Sequence, residues 1–267
     1  MKDFLRGLKT MKIRRITDEI EKYAKPELAL EHDRPRIGLQ VGWLDAECTG
    51  VMVCLDATLE VLEKAVGEGC NLVVAHHPLI YHPLQKIDME DGHSRVIIYA
   101  LKHGITIYSA HTNMDKSELG INRELIDMFD ADYISNTEDC LFFARCDDIT
   151  LRALTKKIAE KLNDKSVKYV GDGNKIISKF CICSGGGGSS SDIHAAMTGG
   201  ADCYISGDFA HHDYLYAQEN EFPVIEFSHY SSEIIVEDLF EKILSVLEGL
   251  KVVKANEKRP FRTLEEL

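Results

Sequence analysis

Two adjacent histidines, His76 and His77, close the apolar run NLVVAHHP. A second run, ITIYSAHTNMD, ends with His111 and Asp115, and a third, FPVIEFSHYSSE, delivers His229 and Glu233. Imidazole and carboxylate are ligand types that zinc, iron, manganese and nickel all accept, so the pattern points to divalent-metal chemistry without choosing the metal. His229 and Glu233 are four residues apart, and one helical turn would direct both side chains the same way. Glu233 would fall in the first turn of that helix, where backbone N–H groups favour a carboxylate. The candidate ligand set is His76, His77, Asp115, His229 and Glu233. A histidine pair alone has a plain alternative as core or supporting residues. Three strand ends with matched chemistry carry more weight than one. Five protein ligands exceed what one catalytic tetrahedral ion takes while keeping an open position. They suit two ions that share a carboxylate and a water.

The elements that would position these residues alternate between strand and helix. TGVMVCLDAT (49–58) reads as a buried strand, LEVLEKAVGEGC (59–70) as a helix and NLVVAHHP (71–78) as the next strand, a β-α-β unit of the kind that builds parallel sheets. SRVIIYALKHG (94–104) reads as a helix stopped by Gly104, followed by strand 105–112 and helix 119–129. A second block begins near Asp132. It holds an amphipathic helix over 149–163 and a strand, glycine turn and helix over 175–200. That pattern repeats over 201–220, and a further strand lies at 222–230. Residues 231–250 read as one long terminal helix with a core face. This alternation predicts an α/β fold of two similar lobes with mixed sheets flanked by helices. The first lobe would take 1–131 and 230–267 and most of the ligands; the second would take 132–229. In open α/β sheets, ligands bind at the carboxyl ends of the strands, which is where the histidines lie. Side chains alternate along a strand, but the turn at Pro78 can release that constraint and let His76 and His77 converge.

Composition narrows the function. The chain has 267 residues and a formal net charge of -13. Such an acidic chain repels phosphate backbones at long range, which disfavours nucleic-acid binding. No apolar run approaches the length of a membrane helix. The basic stretch 1–10 lacks an apolar core, which argues against a secretory signal and suggests a loose extension. Eight scattered cysteines, none in CxxC, read as reduced, mostly buried thiols in a cytoplasmic protein.

Other residues have two readings. His211 and His212 follow SGDFA and either serve a substrate or lie on a helix N-terminus; His212 is carried as a catalytic candidate beside His111. Asp208 reads as an N-cap in preference to a site residue. Asp56 and Thr58 in LDAT orient a ligand or cap the next helix, with capping preferred. The SGGGG loop, Ser184 to Gly188, could cradle phosphate but lacks the Lys and Ser/Thr of a P-loop.

IGLQVG, LDAT, HHPLIYH, YSAHTNMD, SGGGG, ADCYISGDFAHH and SHYSSE occur in the order found in the Nif-three-like family, also named GTP cyclohydrolase 1 type 2 homologs. The resemblance runs from about Ile16 to Phe261, and the length resembles the short form without an inserted domain. It implies a dinuclear site in a toroidal homohexamer. His77 and Asp115 would hold one ion, His76 and His229 the other, and Glu233 would bridge them. His111 matches a further site histidine that supports a ligand or carries a proton. The sequence departs from the family at His32 and Arg34, where Trp and Asn are usual, and at Ser228, usually glycine. The family name implies hydrolytic opening of the GTP imidazole ring or action on another small nucleotide. Two alternatives stand beside it. The first is a metal-dependent phosphoesterase or amidohydrolase. The second is a non-enzymatic metallochaperone, storage or interaction protein.

Overall fold

The computed structural model describes residues 11–262, so the expected loose extension over 1–10 lies outside the described residues. Apart from the two-residue strands Met11–Lys12 and Glu47–Cys48, which pair antiparallel with each other, the strands in chain order are β1 (Gly38–Val41), β2 (Val51–Cys54), β3 (Leu72–Ala75), β4 (Thr106–Ser109), β5 (Asp132–Asn136), β6 (Phe142–Thr150), β7 (Lys168–Val170), β8 (Ile176–Ile182), β9 (Cys203–Ser206), β10 (Val224–Glu226) and β11 (Val252–Lys254). The α-helices are α1 (Ile13–Glu21), α2 (Leu59–Gly67), α3 (Gly92–His103), α4 (Thr112–Asp115), α5 (Ile121–Met128), α6 (Leu151–Lys161), α7 (Ser190–Thr198), α8 (His211–Glu219), α9 (His229–Glu233) and α10 (Val236–Leu244). The chain divides into two compact units, Met1–Ser117 with Val236–Leu267, and Glu118–Ile235.

The first unit is built on a five-stranded mixed sheet in the order β11-β2-β3-β4-β1. The first four strands run parallel, and β1 pairs antiparallel with β4. Every residue of β2, β3 and β4 is buried, as expected of parallel strands covered on both faces. Met52, Val73 and Ile107 of the sheet pack with Leu62 of α2 and Ile97 of α3 in one core. Thr58 caps α2 by accepting the N–H of Val61 at 3.2 Å. Gly104 ends α3 in the left-handed conformation that its place in the sequence predicts.

The second unit carries a six-stranded mixed sheet in the order β5-β6-β8-β9-β10-β7. Its central strands β8, β9 and β10 are parallel, β6 and β7 flank them antiparallel, and β5 pairs antiparallel with β6. Tyr204, Cys181 and Val224 of the sheet pack against Ile193 and Ala196 of α7 and Ala217 of α8. The fold is therefore mixed α/β, with helices flanking mixed sheets.

Three local expectations change. The long helix over 231–250 is two helices, with a turn at Ile234 and Ile235. Apolar spacing runs on through the break, so periodicity carries no sign of it. β5, β7 and β11 escape a periodic reading because β5 is mostly exposed and the other two have three residues each. The unit boundaries fall at 117/118 and 235/236, so α5 and all of His229–Glu233 belong with the second unit.

Candidate metal centre

Parallel pairing puts the residues that follow each strand side by side. Cys54 of β2 is level with Ala75 of β3, and Ala75 with Ser109 of β4. The next residues continue the ladder: His76 N donates to Cys54 O, His77 N to Leu55 O and Ala110 N to Ala75 O, at 3.0–3.1 Å. His76, His77 and His111 thus emerge together at the carboxyl edge of the first sheet. Their ring centroids are 5.1–5.6 Å apart. Each offers a nitrogen, and these nitrogens lie within 4.8 Å of one another. Asp115 sits at the end of α4, one helical turn beyond His111, and its Oδ1 lies 3.6 Å from His76 Nε2. His76 and Asp115 are both buried.

Each of these imidazoles is oriented through Nδ1. His76 Nδ1 meets Ala110 O at 2.9 Å, His77 Nδ1 meets Asp56 Oδ1 at 2.8 Å, and His111 Nδ1 meets Asp33 Oδ2 at 2.9 Å. An oxygen acceptor at Nδ1 fixes the tautomer that keeps the lone pair on Nε2, the arrangement of ligating histidines. Asp33 is fully buried. Burial alone would raise its pKa, but hydrogen bonds from His111 and Thr112 hold it down at about 2. The carboxylate facing His111 is therefore ionised at neutral pH.

The second unit presents its own donors at the corresponding edge. His229 and Glu233 occupy the first and last positions of α9. His229 Nε2 lies 2.8 Å from Glu233 Oε2, so their donor atoms point at one spot. His229 Nδ1 is held at 2.7 Å by Asp208 Oδ2. Burial alone would lower the His229 pKa, but hydrogen bonds to Asp208 and Glu233 and their charges outweigh it and push it up to about 11. The glycine loop lies against this pair. Gly185 has φ +63, and a Cβ there would collide with Glu233 Oε1 and come within 3.1 Å of His229 Nε2.

Asp208 is therefore no N-cap. Ala210 holds that position at α8, and Asp208 orients His229 instead. In LDAT the two roles separate, with Thr58 capping and Asp56 orienting His77. His211 and His212 open α8 and are exposed, and His212 Nε2 lies 3.6 Å from Asp213 Oδ1. Among the described residues neither belongs to a donor cluster. Sequence reasoning missed Asp33, which lies between the two departures His32 and Arg34. It also missed Asp164, whose buried carboxylate takes the N–H of Ser228 at 2.8 Å. A lone acidic residue in a loop gives no periodic signal, so neither could be picked out.

No described helix is long and apolar enough to cross a membrane. The eight cysteines are free, five of them buried.

A family model described as Duf34/NIF3 (NGG1p interacting factor 3) matches residues 11–260. A Lactococcus lactis protein named GTP cyclohydrolase 1 type 2 homolog is 30% identical over 261 residues, 94% of this chain and 99% of that one. A Methanocaldococcus jannaschii protein of the same name is 30% identical over 256 residues, 91% of this chain and 98% of the other. The crystal structure of a Staphylococcus aureus hypothetical protein superposes with a TM-score of 0.86 at 25% identity, covering 96% of this chain and all of that one.

Proposed function

The chain belongs to the Duf34/NIF3 family, and from that premise we propose that it is a metal-dependent hydrolase of the GTP cyclohydrolase 1 type 2 kind acting on a small nucleotide. His76, His77, Asp115, His229 and Glu233 would hold two divalent ions, shared out as the motif resemblance implies. The observation that carries the metal reading is the orientation of the histidines. Each of His76, His77, His111 and His229 has Nδ1 against an oxygen, three of them a carboxylate oxygen. Core histidines have no common need for that pattern, whereas metal-binding histidines do. The names of the relatives support the nucleotide.

Bound divalent ions would supply Lewis acidity, which lowers the pKa of a water and polarises the bond to be broken. The protein's own groups do the rest. Asp56 and Asp208 fix the rings of His77 and His229. Asp33, ionised at neutral pH, holds the Nδ1 proton of His111 and leaves its Nε2 facing the site, which suits that ring to take and return a proton there. Glu233 Oε2 faces His229 Nε2 at 2.8 Å, and with the His229 pKa raised to about 11 a cation bound there would displace the proton of that ring.

Purified protein loaded with zinc, manganese or iron should turn over GTP, with the ring-opened product read by ultraviolet absorbance and mass spectrometry. Chelation and His77→Ala should each abolish it. Turnover of phosphoesters or cyclic amides in place of GTP would move the reading to those substrates. Metal passed to an apo acceptor with no turnover of any of them would favour a metal-handling role.

Asp56→Asn and Asp208→Asn test the orienting carboxylates. An amide can rotate its NH2 toward Nδ1 and favour the opposite tautomer, which places a proton on Nε2. Each variant should weaken metal binding by about 10- to 100-fold, and Asp208→Asn should also lower the melting temperature of the metal-free protein at neutral pH, because Asp208 helps to raise the His229 pKa. Calorimetric titration of the chelator-treated protein measures this, and affinity equal to the native protein's would remove the carboxylates from the argument.

A further inference from the structure

The end of the described chain returns to the His77 turn. β11 runs parallel to β2 with Lys254 level with Val53, and Ala255 N extends the ladder to Val53 O at 2.9 Å. Asn256 then turns the chain at φ +51 and donates its N–H to Glu237 Oε2 of α10 at 3.1 Å. That turn delivers Glu257. Its carboxylate accepts the N–H of Leu55 at 2.5 Å and that of Asp56 at 3.1 Å. These are the two residues that follow β2.

The same two residues hold His77 from the other side. Leu55 O accepts the His77 N–H at 3.0 Å. Asp56 Oδ1 meets His77 Nδ1 at 2.8 Å. Glu257 therefore grips, through main-chain N–H groups, both peptides that set the backbone and the ring of His77. We propose that Glu257 is a positioning residue for His77, fastening the Leu55–Asp56 turn so that the imidazole is presented in one orientation. This rests on the reading of His77 as a metal ligand. Burial pushes the Glu257 carboxyl up to about 7 while its two N–H bonds pull it down, and the charges of Asp56 and Glu237 add to the rise. Charge-assisted bonds to two successive N–H groups are what make such a placement hold.

The test uses full-length protein, stripped with chelator and titrated with cobalt(II) chloride at pH 8. Calorimetry gives the affinity, and the visible d–d absorption reports the ligand field. Four variants are compared with the native chain: Glu257→Ala, Glu257→Gln, His77→Ala and the exposed-site control Lys258→Ala. Glu257→Ala should bind cobalt about tenfold more weakly and shift the d–d band toward that of His77→Ala. Glu257→Gln keeps one acceptor oxygen and should lie between Glu257→Ala and the native chain. It decides the matter where Glu257→Ala fails to fold, as read from its thermal melt. Lys258→Ala should match the native chain. Native affinity and an unshifted band in the folded Glu257 variants, with binding weakened in His77→Ala, would overturn the positioning role alone. Native cobalt binding in His77→Ala would overturn the ligand reading itself, and this proposal with it.

Discussion

Gly185→Ala should reduce metal affinity by about 100-fold or more and lower the melting temperature of the metal-free protein by several degrees. Two effects combine. Gly185 stands at φ +63, where an L side chain costs about 1–2 kcal/mol. The added methyl also collides with Glu233 Oε1. The loop has little room to retreat, because Gly185 N donates to Ser232 Oγ and Gly185 O accepts from Gly207 N, both at 3.0 Å. The carboxylate must therefore leave its position beside His229. Gly186→Ala is the matched control, since its Cβ would meet nothing closer than 3.4 Å. Titration with manganese or zinc, alongside thermal melts of both variants, reads the result. Equal affinity in the two would show that the position of Glu233 does not matter to metal binding.

Glu233→Gln should weaken metal binding at pH 7 by about 100-fold and flatten its dependence on pH. In the native chain a proton shared by His229 and Glu233 competes with the cation. With the His229 pKa at about 11, apparent affinity should climb with pH throughout the neutral range, by about tenfold per pH unit for one displaced proton. The stability of the metal-free protein should respond in the opposite sense. His229 has its pKa raised from 6.5, so its contribution is full below about 6.5 and is lost as pH rises through about 11. Glu233→Gln removes one of the two carboxylates that raise it. Both trends should then flatten, as read by titrations in weakly buffered solutions and by urea denaturation from pH 6 to 10. An affinity that ignores pH in the native chain would contradict the displacement of this proton.

Much of the donor chemistry was legible in advance because it sits at ends of apolar runs. The runs ending in His76–His77 and in His111 are buried parallel strands, and the i, i+4 spacing of His229 and Glu233 does become one turn of helix. The partners of those donors were not legible. Asp33 reaches His111 across 78 positions, and Glu257 reaches Leu55 across 202. Periodicity reports local burial and carries no information about which distant carboxylate closes on which ring. Asp208 illustrates the same limit. Its place two residues after a strand fits a helix cap, yet a φ of +58 turns its chain toward His229 while Ala210 takes the cap position.

The sequence by itself determined which imidazoles and carboxylates close the apolar runs, the α/β alternation and the family, because residue type and short-range spacing are sufficient for each. The tertiary structure decided which oxygen orients each of His76, His77, His111 and His229, that Gly185 must lack a side chain, and that the apolar run over 231–250 breaks into α9 and α10. The physical reason is strand register. Once parallel strands pair level with one another, residues far apart in sequence stand a hydrogen bond apart at the sheet edge. That pairing is settled by the packing of both sheet faces, not by any single segment.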